Sequence, residues 1–148
     1  MIDTLFFDLD DTLVAFEAVS DLSWRQACAS YLADGDSARA EAIHRTIRKH
    51  SNQYWSDEER SRAGRQDIVA ARRMIVTEAF VELKLPEEDA IRVADFFSRV
   101  RLENMYLLPN TTETLTYFRE RGLKMALLTN GDSGGQRAKI ARFNLEPF

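Results

Sequence analysis

The sequence predicts an α/β protein: a partial parallel-sheet core interrupted by a large helical insert. Three observations carry that expectation. The apolar run Leu5-Phe6-Phe7 stops at Asp8, as a buried parallel strand does when it delivers a polar group to a site at its C-terminal end. A second run, Lys124 to Thr129, ends in the polar turn Thr129-Asn130-Gly131-Asp132. Between the two lie about ninety residues of helical periodicity, far too many for an ordinary strand-to-helix connection.

Taken in order, Ile2 to Asp8 reads as a continuous, buried first strand. The stretch from about Ala15 to Met105 reads as entirely helical. Ala40, Ile43 and Ile47 share one helix face. Ile68, Val69, Ile75, Val76, Ala79, Phe80 and Leu83 mark a longer helix. Leu85-Pro86 breaks it, and Pro86 with Glu87 and Glu88 suits a new start. Ala90, Val93, Ala94, Phe97 and Val100 form the next apolar stripe. After Pro109, Asn110 with Glu113 makes a capping pair for a helix through Arg121. Leu115 and Phe118 are its buried contacts and Gly122 its stop. The second strand follows, and then a helix capped by Ser133 with Gln136 and buried through Ile140 and Phe143. The expected division is a core of residues 1–14 and 106–148, incomplete as a sheet, with a helical domain of residues 15–105 inserted in it.

Composition narrows the function classes. The chain has 148 residues, 45% hydrophobic and 30% charged, with a net charge of -4. That is an ordinary globular mix with no basic footprint for nucleic acid. The basic runs Arg45 to Lys49 and Arg60 to Arg65 read as solvated helix faces. One cysteine, Cys28, excludes an intramolecular disulfide and a cysteine-based zinc cluster, and reads as a buried structural thiol. Asp3 and Asp8 interrupt the N-terminal apolar run, so no signal peptide is read. No stretch approaches the roughly 20 apolar residues of a membrane span. A cytoplasmic protein without nucleic-acid or membrane partners is expected. Trp24, Tyr54, Trp55 and Tyr106 read as core, with the lining of a pocket on the helical insert as the alternative, and His44 and His50 have no partner in the pattern and are assigned no role.

The chemistry gathers at the strand ends. Asp8 and Asp10, two residues apart, can offer one carboxylate as nucleophile and the other as proton shuttle. Backbone groups around them stay free for a metal or an oxyanion. Two carboxylates ending an apolar strand are costly without a cation. Asp11 and Asp132 read as turn residues at least as readily as functional ones.

Phe6-Phe7-Asp8-Leu9-Asp10-Asp11-Thr12-Leu13 resembles the first signature of the haloacid-dehalogenase-like (HAD) hydrolases, Asp-x-Asp-x-Thr after a buried strand. Leu127-Leu128-Thr129-Asn130-Gly131 resembles their second, and the insert is similar to their α-helical cap. The resemblance implies a Rossmann-like core and a phosphatase reaction through an aspartyl-phosphate. It implies Asp8 as nucleophile and metal ligand. Asp10 is implied as general acid and base, and as a Mg2+ ligand through its carbonyl. Thr129 and the amide of Asn130 are implied to hold the phosphoryl group, with Thr12 supporting the turn. The dehalogenase branch lacks an acid at the place of Asp10, so Asp10 favours a phosphoester. A small phosphorylated metabolite, a sugar phosphate or a nucleotide, is the implied substrate. The alternatives are a non-catalytic binding protein and, disfavoured by Asp10, a 2-haloacid dehalogenase.

The family's third signature, a lysine commonly in a Lys-Pro pair, and its fourth, a pair of acids, do not occur by Phe148. Lys139 lies in the helix ahead of the expected lysine and no Pro directly follows it, so it is disfavoured as a replacement for that lysine. The expectation is a fragment of a longer protein, or a chain completed from elsewhere, with little turnover by itself.

Overall fold

The computed structural model describes residues 3–32 and 35–148. In chain order the elements are β1 (Thr4–Phe7), α1 (Ser20–Tyr31), α2 (Ser37–Ser56), α3 (Glu58–Gln66), α4 (Ile68–Glu82), α5 (Glu87–Asn104), α6 (Thr111–Glu120), β2 (Lys124–Leu127) and α7 (Ser133–Arg142). The chain forms two compact units, Met1–Val19 with Met105–Phe148, and Ser20–Asn104.

The first unit is α/β. β1 and β2 pair in parallel, with Thr4 opposite Lys124 and Phe7 opposite Leu127. Both strands are shorter than the apolar runs suggest, and Ile2 lies outside the described residues. Neither is buried throughout. Phe6 is 68% exposed and Leu128 72%, and β2 alternates between exposed and half-buried residues. The cause is that this two-stranded sheet is covered on one face. Phe7, Met125 and Leu127 share an apolar groove with Leu115 of α6, Ile140 of α7 and Leu145. A strand covered on one side shows alternation, whereas continuous burial needs layers on both.

Two helix starts differ from the sequence reading. Asn110 precedes α6 with φ 64° and makes no side-chain cap, because capping needs an extended backbone there. Thr111 fixes the start instead, its hydroxyl donating to the Leu13 carbonyl at 3.1 Å. Gly122, with φ 72°, ends the helix as expected. α7 is capped by Asp132, whose carboxylate accepts from the Gly135 amide at 2.8 Å, and not by Ser133. That releases Gln136 from capping. Gln136 and Lys139 are buried on α7, while Ile140 and Phe143 are half-buried.

The second unit is helical, from Ser20 rather than Ala15. Its core joins Ala27, Cys28, Ile43, Ile47, Tyr54, Ile75, Val76, Phe80, Val93 and Phe97. The predicted faces of α2 and α5 are buried, while Val69 of α4 is 40% exposed. Trp24 stacks on Phe97 with ring centroids 3.7 Å apart, whereas Tyr106, in the first unit, is exposed. Burial pushes the Cys28 thiol up to about 12, which makes it inert. The histidines do have neighbours. His44 Nε2 lies 3.3 Å from Asp21, with its ring held below the ordinary imidazole pKa by burial, and His50 Nε2 lies 2.8 Å from Glu82. No described helix is long and apolar enough to cross a membrane.

Gly64 lets α3 approach α2. A Cβ there would stand 2.8 Å from Tyr54 Cε1 and 3.0 Å from Trp55 Cη2. Gly64→Ala is therefore expected to destabilise the unit by about 1–3 kcal/mol of overpacking, less the roughly 1 kcal/mol that alanine gains in a helix. Thermal denaturation checks it, and a melting point above the parent's would contradict this packing.

Candidate active site

The site is built where β1 and β2 end together. The strands are parallel and in register, and the Leu128 amide donates to the Phe7 carbonyl at 2.8 Å. Asp8 follows β1 directly and Thr129 follows β2 by two residues, so both leave the same end of the sheet. Past β1 the side chains alternate. Leu9 is fully buried, while Asp8 is exposed and Asp10 half-buried on the other side.

A tight turn then holds the two carboxylates in place. The Leu13 and Val14 amides both donate to the Leu9 carbonyl at 3.0 Å, and the Asp11 amide donates to the Val14 carbonyl at 2.7 Å. Asp11 takes the left-handed conformation, φ 58°, and its carboxylate accepts from the Phe16 and Glu17 amides at 2.9 and 3.0 Å. Asp11 is thereby accounted for by the turn. Asp8 is met by the Thr12 hydroxyl at 3.5 Å.

The structure gathers Asp10, Thr129 and Asn130 around two residues to which the sequence assigns no part in the chemistry, Gln136 being read there only as a helix cap. The ammonium of Lys139 lies 2.7 and 2.6 Å from the two carboxylate oxygens of Asp10 and 4.2 Å over the Phe16 ring. Gln136 Nε2 donates to Thr129 Oγ1 at 3.1 Å, to the Asn130 carbonyl, and to Asp10 Oδ2 at 3.3 Å. Two amide hydrogens serve three acceptors, so these bonds are shared. Gln136 and Lys139 are each 8% exposed, and Gln136 Oε1 is buried without a hydrogen-bond partner among the described residues. Gly131, with φ 121°, lets the turn close over the amide, since a Cβ there would stand 3.1 Å from Gln136 Nε2. Asp8 stands outside this network.

The signal for the pair was present. Gln136 and Lys139 are three apart, on one face of the helix that follows the Thr129 turn. Polar residues on an inward helix face that leads from a polar strand end have a partner to find.

The donor set fits a hard cation. Among the described residues no cluster of three His, Cys, Asp or Glu forms. Asp8 still offers an exposed carboxylate, and the Asp10 carbonyl receives no hydrogen bond from the described residues. Magnesium accepts one or two such protein oxygens and keeps water for the rest.

Residues 2–148 match the family model described as a haloacid dehalogenase-like hydrolase. No curated protein matches the chain. Solved structures share its fold. The HAD-hydrolase YfnB of Bacillus subtilis, bound to magnesium, has a TM-score of 0.58 at 18% identity, covering 99% of this chain and 60% of that one. A predicted phosphoglycolate phosphatase from Haemophilus somnus 129PT has 0.54 at 18%, covering 99% and 59%. The L-2-haloacid dehalogenase of Xanthobacter autotrophicus has 0.52 at 22%, covering 99% and 54%. The chain thus spans a little over half the length of these relatives.

Proposed function

Because the chain belongs to the haloacid dehalogenase-like hydrolases, we propose that it serves a magnesium-dependent phosphatase acting on a small phosphorylated metabolite, a sugar phosphate or a nucleotide. The observation that carries this reading is the Asp10 carboxylate, held beside Thr129 through Gln136. A phosphoester's leaving oxygen needs a proton and a halide does not. A structural relative described as a predicted phosphoglycolate phosphatase and another bound to magnesium support it.

Asp8 attacks phosphorus as a carboxylate, which is already ionised at neutral pH. Thr129 Oγ1 and the Asn130 amide donate to the phosphoryl oxygens, where charge builds up. Asp10 acts from its protonated form: it gives its proton to the leaving oxygen, and the carboxylate so formed takes a proton from the water that cleaves the aspartyl-phosphate, which restores the acid. The Asp8 carboxylate and the Asp10 carbonyl would hold magnesium, which relieves the repulsion between carboxylate and phosphate.

Phosphate release from a panel of sugar phosphates and nucleoside monophosphates, with and without magnesium, tests the proposal in the full-length protein. The dehalogenase relative motivates a parallel assay of halide release from 2-haloacids. Halide release without phosphate release would overturn the reading.

Thr129→Val keeps the side chain's shape and removes its hydroxyl. Inorganic phosphate should bind more weakly and turnover should slow, together by about 1–3 kcal/mol for a bond to a charged group. Unchanged phosphate inhibition and kcat/KM would leave Thr129 as a strand terminus only.

A further inference from the structure

Lysine is rarely buried without a partner, and its long stem gives up rotamer freedom when fixed. Lys139 accepts both costs, and its ammonium spans the two oxygens of one carboxylate. That carboxylate belongs to Asp10 and not to the nucleophile Asp8. Gln136, one turn earlier on α7, ties the same carboxylate to Thr129 and Asn130. A single helix face therefore reaches the residue assigned to proton transfer and the loop assigned to the phosphoryl group.

We propose that Lys139 and Gln136 are positioning residues: Lys139 fixes the Asp10 carboxylate in one orientation, and Gln136 fixes its place relative to the Thr129-Asn130 loop. The proposal rests on the phosphatase reading. Proton transfer demands a heavy-atom separation within hydrogen-bond reach, and a misplacement of about 1 Å can cost roughly a hundredfold. A free Asp10 has several rotamers, whereas one clamped through both oxygens has few. An ion pair that served stability alone would affect every substrate alike. A clamp on the proton donor affects most the substrates that need the proton.

The test compares kcat on an alkyl phosphate and on an activated aryl phosphate in the full-length protein. Lys139→Met should lose roughly tenfold to a hundredfold on the alkyl ester and less than about threefold on the aryl ester. In an Asp10→Asn background it should cost less than about twofold more, because the two residues act as a unit. Equal losses on both esters, or an undiminished further loss in that background, would overturn the proposal. Lys139→Arg keeps the cation if the methionine variant folds poorly. Its loss should be smaller but biased to the alkyl ester in the same way, and an unbiased loss counts against the clamp.

Melting of wild type, Asp10→Asn, Lys139→Met and the double variant reads the pair without turnover. The double variant should lose less than the sum of the single losses, and additive losses would show that no pair forms. If the wild type released phosphate from no ester, the phosphatase reading would fail. Non-additive melting would then assign the pair to stability and overturn its role in catalysis.

Discussion

Asp8→Asn is expected to lose phosphate release by at least about a thousandfold in kcat, some 4 kcal/mol of activation free energy. The amide nitrogen carries no nucleophilic lone pair, and the amide is a poorer ligand for a hard cation than a carboxylate. The fold should tolerate the change, because Asp8 is exposed and, among the described residues, its side chain meets the Thr12 hydroxyl at 3.5 Å. Melting point and activity should therefore separate: a near-parental melt with turnover gone. A variant that kept more than a tenth of wild-type kcat would refute covalent catalysis at Asp8.

Asp10→Asn should behave differently on both counts. General acid catalysis is worth roughly 10²–10⁴-fold, so an alkyl phosphate should slow by that order. An activated aryl phosphate leaves without a proton and should slow far less. Equal slowing of the two would show that Asp10 does not protonate the leaving oxygen, or that a later step sets the rate. This variant should also be less stable, since it leaves the buried Lys139 ammonium facing a neutral amide. The loss should fall short of the about 3–5 kcal/mol for breaking a fully buried pair, because Asp10 keeps some access to water. Assays belong well below its melting temperature.

The sequence made the helices of the second unit legible because their signals are local. The spacing of Ala90, Val93, Ala94, Phe97 and Val100 is the buried face of α5, and Pro86 marks its start. Capping was read less well. Asp36, Asp57 and Asp67 each cap a helix through an amide three residues on, and each looks like any other surface acid in a polar stretch. Strand burial was misjudged because an apolar run reports what a strand tolerates and not how many layers cover it. Strand ends and signatures single out Asp8, Asp10, Thr129 and Asn130 as candidates. Lys139 does not match the lysine signature by position, and its partner, Asp10, is 129 positions away, a separation that no local pattern spans. The one sequence clue was negative: a charge on a face where the period called for an apolar side chain.

The bare face of the sheet has a practical corollary at the bench. Phe6 and Leu128 present large apolar surface to solvent, on a sheet that has two strands among the described residues. Ammonium sulfate, which drives apolar surface out of water, should precipitate these 148 residues early and hold them on a phenyl resin. Two unpaired strand edges invite a neighbouring chain, so light scattering should climb with concentration and with such salts. Replacing Phe6 by lysine would put a repelling charge in the middle of that face. It touches neither the groove beneath the sheet nor the strand ends, so it should yield a better-behaved sample with the site intact.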